Sequence, residues 1–130
     1  MDSKENYYLS EEDAEWVGLK KSEYLSRLIG LLGPTDIGFE EYHKFDDLIH
    51  GTIHTPDRTF LYKEDGYDMR TYLKTYLQGQ TFHQIVMGAI LPGPENKSEI
   101  FVPVLVFVTR SEEVVKAFAT GESKNPPVLN

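Results

Sequence analysis

The chain predicts an α+β domain: N-terminal helices packed on an antiparallel sheet of about four strands, with a C-terminal helix. Three observations carry this expectation. The first half holds helical apolar spacing, clearest in Tyr24, Leu25, Leu28, Ile29 and Leu32. The second half is rich in Val, Ile, Thr, Tyr and Phe, which suit a pleated surface. Its two most apolar runs, within Phe82–Arg110, flank the polar break PGPENKS (Pro92–Ser98), as in a long hairpin at the centre of a sheet.

Residues 1–9 read as a frayed arm. Ser10 followed by Glu11, Glu12 and Asp13 is a helix start, a capping hydroxyl with carboxylates where the helix dipole favours them. Gly18 predicts a break, with Ser22 as a second cap, and Gly33-Pro34 stops the helix that carries Tyr24–Leu32. Asp36–Gly51 reads as a further helix on the spacing of Phe39, Tyr42, Phe45 and Ile49, with Gly51 as its C-terminal cap.

Thr52–Thr55 is then a short strand, Pro56-Asp57 a turn and Arg58–Glu64 a strand. Asp65-Gly66 is a strong hairpin signal, because both residues accept the positive φ of a type I′ turn. Asp68–Leu77 fits a helix through Met69, Tyr72, Leu73 and Tyr76, and a strand through Met69, Thr71, Leu73, Thr75 and Leu77. The preceding turn and the Thr and Tyr content favour the strand.

Both strands of the long hairpin are apolar on both faces, so both faces should be covered. Pro103 implies an edge or a bulge, since it cannot donate to a ladder. Thr109-Arg110-Ser111-Glu112 matches a capping box opening a helix through Val114, Val115 and Phe118 to Gly121. Residues 122–130 read as an irregular arm, and residues 1–130 as one domain without repeats.

Composition narrows the function classes. The 130 residues are 40% hydrophobic and 26% charged, a globular balance. Thirteen Lys+Arg against 21 Asp+Glu leave a formal charge of −8, unfavourable for a broad phosphate-binding face and suited to a basic protein partner. The absence of cysteine removes disulfides, thiolate catalysis and Cys-based zinc sites, and fits a reducing cytoplasm. MDSKENYYLS carries no signal-peptide pattern, and the longest apolar run, Val104–Val108, is too short to span a bilayer. No Gly-rich phosphate loop, Gly-x-Ser-x-Gly elbow or metalloprotease helix occurs, so no cofactor and no metal are expected.

A few residues carry chemical interest. His50 and His54 have metal-ligand spacing, but the element boundaries above put them on different elements, with no third ligand in view. His83 is the more informative imidazole. In a hairpin symmetric about Glu95 it faces Phe107, with Thr109 diagonally adjacent, a pairing capable of acid–base chemistry or of plain hydrogen bonding within the sheet. Arg70, Tyr72, Lys74 and Tyr76 share one strand face, a stripe that either stacks bases and holds phosphates or covers apolar surface with long side chains. Phe82, Met87, Phe101 and Phe107 either line a small-molecule pocket or fill the core. Tyr7, Tyr8 and Trp16, close to carboxylates, are the aromatic contacts expected for a basic partner, and Glu11–Asp13, Glu40, Glu41, Asp46 and Asp47 supply the acidic surface.

The runs FDDLIHGTIHTPDRTFLY, TYLKTYL, FHQIVMGAIL and FVPVLVFVT resemble the element order of barnase/EndoU/colicin/RelE-like nuclease domains over residues 37–110. The resemblance implies N-terminal helices before a four-stranded antiparallel sheet, metal-independent RNA cleavage, and His54, Arg58, His83 and Thr109 as catalytic positions. Charge argues the other way. The first expectation is therefore a non-enzymatic protein-binding module of chaperone or immunity type, and the second a ribonuclease-like domain acting on RNA.

Overall fold

The structure, a computed structural model, describes residues 9–93 and 98–124, the last three by their backbone alone. Helix α1 (Glu11–Leu31) starts at Ser10, whose hydroxyl accepts from the Asp13 N–H at 3.0 Å. It is one helix, without the break expected at Gly18 or the cap expected at Ser22. Gly18 faces outward, where an added Cβ would meet nothing within 4 Å. Its weak propensity costs about 1 kcal/mol. Burial of Val17, Lys20, Tyr24 and Leu28 on the opposite face outweighs that.

The segment after Pro34 is helical in two pieces: a 3-10 helix, η1 (Phe39–Leu48), and a short α-helix, α2 (Ile49–His54). Phe39, Tyr42, Phe45 and Leu48 recur at every third residue, so three residues per turn stack them along one edge. Gly51 lies inside α2 rather than capping it, and the strand expected at Thr52–Thr55 is replaced by this helix.

The sheet contains β1 (Arg58–Glu64), β2 (Tyr67–Gln78), β3 (Gln80–Pro92), β4 (Glu99–Thr109) and a short β5 (Glu122–Lys124). Its order is β4-β3-β2-β1-β5, antiparallel throughout. Asp65 (φ 54°) and Gly66 (φ 86°) make the expected positive-φ turn, and Asp68–Leu77 is strand. Residues 122–124, expected in an irregular arm, instead pair with β1. The long β3–β4 hairpin forms, but at one side of the sheet: β4 is an edge and β2 the middle strand. Pro103 sits on that edge, at the irregularity in the ladder next to Gly88. Helix α3 (Glu112–Phe118) is capped by Ser111, whose hydroxyl accepts from the Val114 N–H at 3.2 Å, two residues later than the expected cap at Thr109.

Helices α1 and α3 cover most of one sheet face, leaving Arg58 and Leu77 exposed at its margin. Val17, Tyr24, Leu28, Val114 and Phe118 meet Met69, Ile85, Met87 and Phe107 there. The other face is covered at one end only, where Ile37, Tyr42, Phe45 and Leu48 lie over Phe82 and Val108. A buried ammonium pins α1 to the β1–β2 turn: Lys20 Nζ reaches Glu64 at 2.7 Å, Glu23 at 3.0 Å and Asp65 at 3.3 Å. Tyr24 donates to Glu64 at 2.5 Å and Tyr67 to Asp13 at 2.6 Å. Among the described residues no helix is long and apolar enough to cross a membrane.

Candidate functional site

Three strands bring Thr75, His83 and Thr109 into one row on the face covered by α1 and α3, since Thr75 pairs with His83 and His83 with Thr109. The pairing across β3–β4 is thus direct, where the symmetric hairpin put Phe107 opposite His83. The register differs from the symmetric one by two residues, one of them introduced at the ladder irregularity between Met87 and Gly88. His83 Nδ1 lies 2.8 Å from the Thr75 hydroxyl, and Nε2 lies 3.1 Å from Glu112 Oε2 at the start of α3. Thr109 donates to an Asp36 carboxylate oxygen and accepts from the Ser111 N–H at 3.0 Å. The other Asp36 oxygen accepts from the N–H groups of Ile37 and Arg110.

Both nitrogens of this imidazole are therefore engaged, between a hydroxyl and a carboxylate, and the residue is 7% exposed. The chain of hydroxyl, imidazole and carboxylate can pass or hold a proton, and it equally joins β2, β3 and α3. Arg58 shares this face one row away, opposite Leu73, with its guanidinium 5.4 Å from the Phe60 ring. His54 does not join them. It belongs to α2, which packs through Thr52 on Gln84, and Gln84 points to the opposite face from His83. The four positions implied by the nuclease resemblance thus divide three to one across the sheet.

Thr52 organises the opposite face. Fully buried, its hydroxyl lies 2.5 Å from Gln84 Oε1, 3.0 Å from the Leu48 carbonyl and 2.9 Å from the Tyr76 hydroxyl. Gln84 also donates to the Phe45 carbonyl at 3.2 Å, so α2 and η1 are held to the same strand. Arg70, Tyr72, Lys74 and Tyr76 do share this face. Lys74 is taken up by the Thr55 carbonyl at 2.6 Å, and Tyr76 stacks on Phe82. Arg70 reaches the Tyr72 hydroxyl at 3.2 Å, and Tyr72 meets Phe101 edge-on at 5.3 Å. Beside them a shallow cleft of about 380 Å³ lies between Leu61, Lys63, Asp68, Arg70, Ile90 and Glu99.

Phe82, Met87, Phe101 and Phe107 do not line one pocket. Met87 and Phe107 fill the main core, Phe82 lies under η1, and Phe101 packs over Gly88. Trp16 is engaged internally, stacked on Tyr67 at 3.9 Å and donating to Asp65 at 2.8 Å. Tyr7 and Tyr8 lie outside the described residues.

The acidic side chains are arranged by the geometry of η1. With three residues per turn, Glu40, His43 and Asp46 form one exposed row, and Glu41, Lys44 and Asp47 another. Lys44 pairs with Glu41 at 2.8 Å and holds that carboxyl below its ordinary range. Glu40, Asp46 and Asp47 have no cationic partner among the described residues. On the other side of η1 burial pushes the Tyr42 phenol up to about 12, and its oxygen has no hydrogen-bond partner among the described residues.

His50 and His54, expected on separate elements, stand one turn apart on α2, their ring centroids 4.1 Å apart at 83°. Among the described residues, no group of three or more His, Asp or Glu side chains has metal-binding geometry. Sequence reasoning missed Thr75, Glu112 and Asp36 as partners of the central row. Thr75 was legible in principle, as the alternating neighbour of Leu73; Asp36 and Glu112 arrive only through the tertiary fold. No family model matches the chain, and neither does any curated protein or solved structure.

Proposed function

We propose that this chain is a non-enzymatic binding module, acting in the cytoplasm, that docks a basic protein on the acidic rows of η1. The observation that carries this reading is that Glu40 and Asp46 in one exposed row of η1, and Asp47 in the next, have no ion-pair partner among the described residues, Lys44 being taken up by Glu41. Aligned carboxylates of one sign attract a complementary surface and speed its encounter. The formal charge of −8 acts in the same sense. Tagged wild-type protein and the variant Glu40→Gln/Asp46→Asn/Asp47→Asn are compared as baits in extract of the source cell. The expected result is a basic protein released by salt from the wild type and not retained by the variant. Equal retention by both baits overturns the proposal.

A second reading, a metal-independent ribonuclease-like domain, is favoured by one observation: Arg58, His83 and Thr109 share a face, with His83 between Thr75 and Glu112. In this reading His83 takes the proton of a ribose 2′-hydroxyl as that oxygen bonds to phosphorus. The P–O5′ bond breaks and water protonates the leaving 5′-oxygen, while Arg58 stabilises charge on the phosphate. Cleavage of a mixed RNA in EDTA, abolished in His83→Ala, is its expected result. RNA left intact by clean protein removes it.

A further inference from the structure

We propose that His50 and His54 form a chelating site for one first-row divalent transition-metal ion, Zn2+, Ni2+ or Cu2+, on the outer face of α2. Both imidazoles are exposed, and their rings are 4.1 Å apart on successive turns of one helix. Among the described residues neither ring makes a hydrogen bond or ion pair, and the pairing of the two rings is their one ring contact, so their nitrogens are available to a shared ion. Metal–nitrogen bonds of about 2.0–2.1 Å fit two imidazoles brought this close.

The helix itself is held in place. Thr52, between the two histidines in sequence and on the opposite side of α2, is fully buried and bonded to Gln84, Tyr76 and the Leu48 carbonyl. That anchor fixes which way His50 and His54 face. The ordering of the ligands is thereby largely complete before an ion arrives.

The chemistry of the donors selects the ion. Imidazole suits zinc, copper and nickel, whereas magnesium and calcium require oxygen ligands. Asp46 and Asp47 precede His50 by four and three residues and add exposed negative charge on the neighbouring turn. The nearby Lys74 ammonium is bound to the Thr55 carbonyl at 2.6 Å and to its hydroxyl at 3.2 Å. Two protein ligands leave further coordination positions for water or for a donor from a docked partner.

The test is calorimetric titration of the EDTA-stripped full chain with ZnCl2, with imidazole proton spectra recorded in parallel. One ion per chain is expected, with shifts confined to the resonances of His50 and His54. Loss of either ligand breaks the chelate, so His50→Ala and His54→Ala should each weaken binding at least tenfold, while His43→Ala leaves it unchanged. No heat and no shift at 100 µM Zn2+, shifts at other histidines instead, or undiminished binding in both alanine variants would each overturn the assignment. The wild-type spectra decide even if a variant is unstable.

Discussion

The Thr52 hydroxyl donates to Gln84 Oε1 at 2.5 Å, and this bond fixes α2 on the sheet face away from His83. A buried polar pair of this kind is costly to break from one side. Thr52→Val leaves the Gln84 oxygen unpaired and should lower stability by about 1–3 kcal/mol. Combining it with Gln84→Leu removes the orphaned oxygen but also the donor to the Phe45 carbonyl, so the double variant should lose less than the sum of the two single losses. Urea unfolding of the two single variants and the double variant measures the coupling.

Gly88 is required by close approach. An added Cβ would come within 2.5 Å of the Val102 carbonyl oxygen and 2.6 Å of the Phe101 ring. Gly88→Ala should therefore destabilise by about 1–3 kcal/mol through overpacking. Adding Phe101→Leu should not restore stability, because the backbone carbonyl remains in the way. Thermal unfolding of both proteins distinguishes ring from backbone as the obstacle.

The Lys20–Glu64 contact makes stability depend on pH at both ends. Burial alone would raise the Glu64 carboxyl, but hydrogen bonds from Lys20 and Tyr24 outweigh it and hold the group below its ordinary value. Its contribution is thus complete above the ordinary carboxylate range and is lost as pH falls through the lowered folded value. The Lys20 ammonium is raised above its ordinary range, chiefly by its bond to Glu64 and against the effect of burial. That contribution is complete below the ordinary lysine value and is lost as pH rises through the folded one. In Lys20→Met the dependence on both sides should flatten. Urea midpoints from pH 3 to 6 and from pH 10 to 12, where the loss of the Lys20 contribution begins, supply the comparison.

Much of the fold was legible because local and tertiary preferences agree. The Ser10 cap, the Asp65-Gly66 turn, the alternation of Met69, Thr71 and Leu73 and the irregularity at Pro103 are all written in short stretches. What failed depends on tertiary packing. Gly18 and Gly51 read as breaks, yet α1 and α2 continue through them because Val17 and Thr52 are buried beside them. Phe39, Tyr42, Phe45 and Leu48 mark a three-residue period, but the spacing of Phe39, Tyr42, Phe45 and Ile49 also fits an ordinary helix, which hid the rows of carboxylates. His54 was misplaced for the same reason as Gly51, and with it the relation between the two imidazoles.

The proposed docking surface is tested most directly by affinity for the captured basic partner, measured by calorimetry in about 50 mM and about 200 mM salt. For the wild type, binding should weaken at least tenfold between the two conditions. Glu40→Gln/Asp46→Asn/Asp47→Asn should bind at least tenfold more weakly in low salt and respond little to added salt. Affinity and salt response unchanged by the three substitutions would contradict the account.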